Sequence, residues 1–118
     1  MQKEGKRVVI STFYEGFAIQ KIIPKLSPNK LIILLDNLKA TEAKKEEMRK
    51  TLNLIKDMFK GIIEIDTLKV SSYDLPKIIE ETSRKINEEY DKGNEVLIHI
   101  TEGRKITSLA LLFAGYLN

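Results

Sequence analysis

The sequence predicts an α/β fold with a mostly parallel sheet, on three observations. Four short apolar runs rich in β-branched residues alternate with segments of helical periodicity, which is the pattern of successive βα units. No Gly/Ser linker or internal repeat separates these segments. The length of 118 residues suffices for one hydrophobic core but not for two. We therefore expect a single domain over residues 1–118.

The strands are predicted from their composition. Each is a short run dominated by Val, Ile and Leu, the side chains that fit a pleated, buried surface. The fourth run is almost continuously apolar, so we expect it to be a central strand covered on both faces. In chain order, the predicted strands are Arg7 to Thr12, Leu31 to Leu35, Ile62 to Leu68 and Val96 to Ile100.

The helices are predicted from apolar spacing and from capping residues. Thr41 and Asp74 stand where N-caps of the second and third helices belong, and Gly61 and Gly93 follow their ends. In the second helix, a core-facing stripe is expected from spacings of four, three and four at Met48, Leu52, Ile55 and Phe59. In chain order, the predicted helices are Glu15 to Leu26, Thr41 to Phe59, Leu75 to Tyr90 and Arg104 to Tyr116.

Composition excludes several classes of function. The chain has no Cys and a single His, so disulfides, thiol catalysis and thiolate zinc sites are excluded, and we expect neither a metal nor a cofactor. The net charge of +3 is spread among acidic residues, which favours a small anion site over a nucleic-acid surface. No apolar run is long enough for a membrane span or a signal core, so we expect a cytoplasmic protein. Abundant Lys and Glu are compatible with a thermophile.

Two of the turns that follow strands are rich in groups that bind anions. Parallel strands bring their carboxyl ends to one edge, and in the predicted strand order 3-2-1-4 the turns after the first and fourth strands lie side by side. Gly103 permits a sharp turn into a helix whose free N–H groups attract anions, although the spacing matches neither a Walker P-loop nor a dinucleotide fingerprint. The candidate ligand-binding residues are Ser11, Thr12, Phe13, Tyr14, Thr101, Glu102, Gly103, Arg104 and Lys105.

These residue types suit a phosphate joined to a base, because hydroxyls and cations bind phosphate oxygens and rings stack on bases.

Each of these residues can also have an ordinary structural role. The turn can be an ordinary βα connection with two solvated cations, and Phe13 or Tyr14 can equally close the top of the core. His99 is expected to face inward, either as a hydrogen-bonded core histidine or as a support for the neighbouring turn. Glu102 can contact sugar hydroxyls or a base edge, or pair with Lys105.

The run from His99 to Leu117, HITEGRKITSLALLFAGYL, resembles the second signature of the CARF domain, the CRISPR-associated Rossmann-like fold, especially that of archaeal CARF transcriptional regulators. That signature reads N-x-T-G-G-[TR]-K before a helix of small and apolar residues. The first strand and turn, VVISTFYEGF, are similar to the family's first signature. Two positions depart from the pattern, His99 for the common Asn or Asp and Glu102 for the first Gly. The matching residues are Thr101, Gly103, Arg104 and Lys105.

The resemblance implies a Rossmann-like three-layer sandwich and a function in antiviral CRISPR defence. It implies a homodimer whose two-fold groove binds a cyclic oligoadenylate, with cyclic tetra-adenylate as the expected ring. The family continues with further strands and an effector, often a winged helix-turn-helix that binds DNA and regulates transcription. Since this chain stops at Asn118, we expect a shortened chain or a stand-alone sensor that reaches DNA only through an effector absent from it.

Two other functions stay open. In a ring nuclease, a ribose 2′-hydroxyl attacks the neighbouring phosphate while Ser11 positions the ribose and Lys105 stabilises the transition state. The sensor reading needs no catalytic residue. The third reading is a ligand-free α/β protein-interaction module, in which Arg104→Ala and Lys105→Ala change neither binding nor stability.

Overall fold

The computed structural model describes residues 5–13, 17–36, 41–70, 74–100 and 105–118, and the predicted alternation of strands and helices is confirmed within them. The predicted ends of strands and helices that fall within the described residues lie within about two residues of the observed ends. The predicted helix starts at Glu15 and Arg104 lie outside the described residues. The elements are β1 (Arg7–Thr12), α1 (Phe17–Leu26), β2 (Lys30–Asp36), α2 (Glu42–Met58), β3 (Glu64–Val70), α3 (Leu75–Asp91), β4 (Glu95–His99) and α4 (Lys105–Leu117).

The four strands form one sheet in the order β3-β2-β1-β4, as predicted. Every pairing is parallel, so the carboxyl ends of all four strands lie along the same edge. The winding changes direction between β1 and β4, where right-handed connections diverge to opposite sides. Along this pair, the register places Ser11 beside His99.

Helices cover both faces of the sheet, which confirms the three-layer sandwich. Alternate side chains of β1 divide between two cores. Val8 and Ile10 pack with residues of α3 and α4 in the first core, and Val9 packs with residues of α1 and α2 in the second. The predicted stripe of α2 is confirmed in the second core, where Leu52 and Ile55 are buried and Met48 and Phe59 pack against them.

The predicted helix caps are confirmed by hydrogen bonds. Thr41 Oγ1 accepts a bond of 3.1 Å from the backbone N–H of Lys44, and Asp74 Oδ1 accepts one of 3.1 Å from that of Lys77. Each bond satisfies a donor that the first turn of a helix leaves without a partner.

The expectation that the fourth strand is central was wrong, whereas both of its faces are partly covered, because Val96 and Ile98 pack against the first core and Leu97 packs against the second. Among the described strands, β4 pairs with β1 alone, so it lies at the edge of the sheet. Residues 96–99 are half-buried, and Ile100 lies beyond the strand and is exposed. An apolar run is compatible with several depths of burial, because the sheet order decides which strand has neighbours on both sides. The two strands buried at the centre are β1 and β2.

Candidate functional site

The candidate site lies at the carboxyl edge of the sheet, where β1 and β4 end. Four of the predicted ligand-binding residues lie within the described chain: three at the end of β1 and Lys105 at the first position of α4. The predicted residues outside the described ranges are Tyr14, Thr101, Glu102, Gly103 and Arg104. The described part of the candidate site thus comprises Ser11, Thr12, Phe13 and Lys105, together with the neighbouring His99.

Ser11 and His99 are joined by a hydrogen bond across the β1–β4 pair. The Oγ of Ser11 lies 3.0 Å from Nδ1 of His99, and it also donates to the backbone carbonyl of Thr12 at 2.8 Å. The Ser11 side chain is fully buried, whereas His99 is half-buried. The hydroxyl predicted to contact a ligand is thus engaged within the protein and holds the imidazole ring.

The Ser11–His99 bond was not predicted from the sequence. The sequence predicts that His99 faces inward and that Ser11 lies at the ligand edge, but no pattern in it relates the two residues. The strand order already made β1 and β4 neighbours, so the missing information was the register that sets Ser11 beside His99. A one-residue shift in register would move one of these side chains to the opposite face of the sheet.

Thr12 and Phe13 follow Ser11, and both are buried. By strand alternation, Thr12 lies on the side of Val8 and Ile10, the face covered by α3 and α4. The ring of Phe13 belongs to the second core and is 5% exposed. A ligand base approaching from solvent would therefore meet little of this ring, and its packing matches the reading of Phe13 as a residue that closes the core.

Lys105 is an exposed cation at the start of α4. The helix dipole favours anions at this end and disfavours cations, so Lys105 gains nothing there from the helix itself. No charged residue follows it in α4. Together, the ammonium and the helix N-terminus form a local positive centre, which suits a phosphate group.

The described residues contain no group of three or more His, Cys, Asp or Glu side chains that could hold a metal ion. Nor is any helix in the described ranges long and apolar enough to cross a membrane.

A groove of about 510 Å³ lies away from β4, against β3 and α3. Its walls carry both signs of charge, and several of these charges are paired within α3, as in the ion pairs of Arg84 with Glu80 and Lys85 with Glu88. Charges that neutralise one another on an exposed helix are typical of a solvated surface. The groove is therefore a weaker candidate than the edge formed by β1 and β4.

No family model matches the chain. An uncharacterised protein of Archaeoglobus fulgidus is 27% identical over 73 residues, which cover 62% of this chain and 34% of that protein. The chain thus spans about a third of the length of this relative.

Two solved structures are similar to the chain over nearly its whole length. One is a type III CRISPR defence DNA nuclease activated by cyclic oligoadenylate, with a TM-score of 0.68 and 16% identity over 97% of this chain and 17% of the nuclease. The other is Can2 from Sulfobacillus thermosulfidooxidans in complex with cyclic tetra-adenylate, with a TM-score of 0.66 and 15% identity over 94% of this chain and 29% of Can2. At this identity, the likeness establishes a common fold.

Proposed function

We propose that this chain is a CARF domain, a cytoplasmic sensor that binds a cyclic oligoadenylate in the groove of a homodimer and controls a partner or a DNA-binding effector. The observation that carries the proposal is the shared fold over 94% or more of the chain with two proteins, one activated by cyclic oligoadenylate and one bound to cyclic tetra-adenylate. The sequence signature between His99 and Leu117 supports the same family independently. We take cyclic tetra-adenylate as the ligand to test.

In this proposal, the ring lies across the carboxyl ends of β1 and β4. Lys105 and the N-terminus of α4 face a phosphate, which matches their combined positive charge. Of the other predicted residues, Ser11, Thr12 and Phe13 lie at the carboxyl end of β1. We keep Tyr14, Thr101, Glu102, Gly103 and Arg104 as proposed ligand-binding residues on the strength of the sequence alone. A two-fold dimer presents this set twice, which suits a ring of identical nucleotides.

We place the dimer contact on the outer face of α4. Its inner face is buried, whereas five large apolar residues on the outer face are between 43% and 88% exposed. Their spacing of three, one, three and one makes a continuous stripe along the helix. The stripe comprises Leu109, Leu112, Phe113, Tyr116 and Leu117.

A second copy of the chain is the occupant that this stripe fits best. At roughly 200 Å² for a fully exposed residue of this size, the stripe offers about 580 Å² per copy, and two copies would bury about 1,150 Å². That area exceeds the roughly 1,000 Å² expected of a biological interface. Because the stripe carries no charge, two identical faces meet without repulsion.

Isothermal titration of the purified chain with cyclic tetra-adenylate tests the sensor, with linear tetra-adenylate as control and light scattering to measure mass. We expect one ring per dimer and much weaker binding of the linear oligomer. A folded dimer that binds neither compound would exclude cyclic tetra-adenylate as the ligand and favour another cyclic ligand or the interaction module.

The dimer face is tested separately by the double substitution Leu112→Glu and Phe113→Glu. We expect a monomer, because four carboxylates would be buried in the proposed contact. Leu54→Glu, at an exposed apolar position of α2, is the matched control and should leave the mass unchanged. A dimer that survives the double substitution would place the contact elsewhere.

The hydrogen bond between Ser11 and His99 favours a second candidate, the ring nuclease. In that reaction, an imidazole nitrogen of His99 takes the proton of a ribose 2′-hydroxyl and the 2′-oxygen bonds to phosphorus. The bond from phosphorus to the 5′-oxygen breaks, and that oxygen takes a proton from water. Lys105 would stabilise the charge on phosphate. Radiolabelled cyclic tetra-adenylate should then yield linear products ending in a 2′,3′-cyclic phosphate, and ring that stays intact after prolonged incubation would exclude this candidate.

A further inference from the structure

β3 is an edge strand with a row of backbone groups that face away from the sheet. Among the described strands, it pairs with β2 alone. The N–H of Glu64 donates toward β2, to the carbonyl of Asn29. Because hydrogen bonding alternates from residue to residue along a strand, the backbone groups of Ile65, Thr67 and Lys69 face outward. Outward N–H and carbonyl groups are a template on which a strand of another chain can pair.

The central one of these outward N–H groups is capped by the side chain of Asp66. Oδ1 of Asp66 accepts a hydrogen bond of 2.9 Å from the backbone N–H of Thr67. By strand alternation, Asp66 lies on the same face of the sheet as Leu68 and Val70, which pack in the first core, although its own side chain is 49% exposed. A charged residue on the inner face of an edge strand is one of the features by which proteins prevent edge pairing.

The helix α3 holds this carboxylate in place. Nζ of Lys85 lies 3.8 Å from Oδ2 of Asp66, so the two carboxylate oxygens have different partners. The Lys85 side chain is 19% exposed, and its ammonium also lies 3.5 Å from Glu88 on the same helix. Lys85 therefore attracts one oxygen of Asp66 toward α3 and leaves the other on the N–H of Thr67.

We propose that Asp66, positioned by Lys85, prevents β3 from pairing with β3 of a second copy of the chain. Such a pairing needs the N–H of Thr67, which Asp66 already occupies, and it would remove the carboxylate from water. In an antiparallel pairing centred on Thr67, the two Asp66 carboxylates would also approach each other. This role of Asp66 depends on no ligand.

The position of β3 in the sheet gives this protection a consequence for assembly. α4 packs over β1 and β4, away from β3, so the dimer proposed above leaves the β3 edge of each copy open. A chain with two self-complementary faces joins dimers into open polymers. Protection of β3 would thus limit assembly to the dimer.

Light scattering at increasing protein concentration tests the proposal. Asp66→Ala should raise the average mass at least twofold above that of the unsubstituted chain. Asp57→Ala, which removes an exposed carboxylate of α2, is the matched control and should leave the mass unchanged. The increase should persist when Leu112→Glu and Phe113→Glu are added, because pairing through β3 does not use α4. An Asp66→Ala variant with unchanged mass would overturn the proposal.

Thr67→Pro tests where the added contact lies. Since the N–H of Thr67 faces away from β2, proline at this position removes no hydrogen bond of the β2–β3 pair but removes the donor that a second strand needs. The double variant Asp66→Ala, Thr67→Pro should return to the mass of the unsubstituted chain. Association that persists in this variant would refute pairing through β3.

Amide hydrogen exchange, followed by nuclear magnetic resonance, tests the cap in the unsubstituted chain. After correction for sequence effects, Thr67 should exchange roughly threefold to tenfold more slowly than Ile65 and Lys69. Asp66→Ala should abolish this protection and Lys85→Ala should reduce it, whereas Asp66→Asn should keep part of it, because its amide oxygen can still accept. A Thr67 amide that exchanges as fast as its two outward neighbours would overturn the role of Asp66.

Discussion

The two ends of the sheet treat polar side chains in different ways. At the amino-terminal end, Glu89 is fully buried and each of its carboxylate oxygens has a close partner: Lys30 Nζ at 2.8 Å and Asn94 Nδ2 at 2.8 Å. At the carboxyl-terminal end, His99 is only half-buried and Lys105 is exposed at a helix start that repels cations. One end satisfies its charges internally, and the other keeps a charge in contact with solvent.

If the proposed function holds, this difference separates the residues that stabilise the fold from the residues that bind the ligand. The Glu89 cluster ties the end of α3 to the start of β2, so its charges hold elements together. Lys105 makes no comparable contribution to its own helix, and in the proposed function it binds a phosphate of the ligand. Substitutions at the first end should therefore change the free energy of unfolding, and substitutions at the second should change ligand affinity.

The largest effect is expected from Glu89→Ala. It leaves the ammonium of Lys30, whose side chain is 11% exposed, without its nearest carboxylate, and we expect a loss of about 3 kcal/mol in the free energy of unfolding. Urea denaturation measures this loss. The control is Glu88→Ala, which removes an exposed partner of Lys85 and should cost at most about 0.5 kcal/mol. Equal losses in the two variants would contradict the distinction between a buried and a solvated pair.

The same end should respond to acid. Burial alone raises the pKa of Glu89, but the hydrogen bonds from Lys30 and Asn94 and the charges of Lys30 and Lys92 outweigh it, so the pKa lies below the ordinary 4.5. Burial alone lowers the pKa of Lys30, but the hydrogen bond to Glu89 and the charges of Glu89, Glu64 and Asp66 together outweigh it and raise this pKa above 10.5. The stabilisation by Glu89 is thus complete above pH 4.5 and is lost as the pH falls through the folded-state pKa, while that by Lys30 is complete below pH 10.5 and is lost at higher pH.

This direction of the pH dependence is checked by urea denaturation of the unsubstituted chain and of Glu89→Gln at several pH values. The difference in stability between the two should be largest near neutral pH and should shrink well below pH 4.5, where Glu89 itself becomes protonated. A difference that stays constant into strong acid would show that the charge of Glu89 is not what stabilises this end.

At the other end, Lys105→Ala should weaken cyclic tetra-adenylate binding by at least about tenfold, because a charge-assisted contact to phosphate is lost. The midpoint of thermal unfolding should stay the same, since the helix dipole disfavours this cation. Lys60→Ala, an exposed cation that follows α2 near the amino-terminal end, is the control for net charge. Equal weakening by both would mean that the effect is one of overall charge and not of a site.

The smallest effect is expected from Thr82→Val, in the buried stripe of α3. Among the described residues, the Thr82 hydroxyl is buried without a hydrogen-bond partner. Replacing it with a methyl group of the same shape should stabilise the fold by about 1 kcal/mol. Ligand affinity should not change, because Thr82 lies in α3, which contributes no residue to the candidate site. A destabilised variant would indicate that the hydroxyl has a partner after all.

Local physics determined most of the fold from the sequence alone. The stripe of α2 from Met48 to Phe59 was predictable because helix periodicity places these side chains on one face in any context. The caps at Thr41 and Asp74 were predictable because they act on donors within one turn. The strand order 3-2-1-4 was predicted as that of a Rossmann-like sheet, because the right-handedness of crossovers limits the possible orders but does not select one of them.

Only the tertiary structure decided the contacts that depend on register and depth. Ser11 and His99 are 88 residues apart, and Lys30 and Glu89 are 59 apart, so no local spacing relates them. The burial of Phe13 and the edge position of β4 likewise depend on what the rest of the chain packs against them. Periodicity involves residues a few positions apart, so it can be read from the sequence. A contact between distant strands and helices forms only when the sheet has assembled and its register is set.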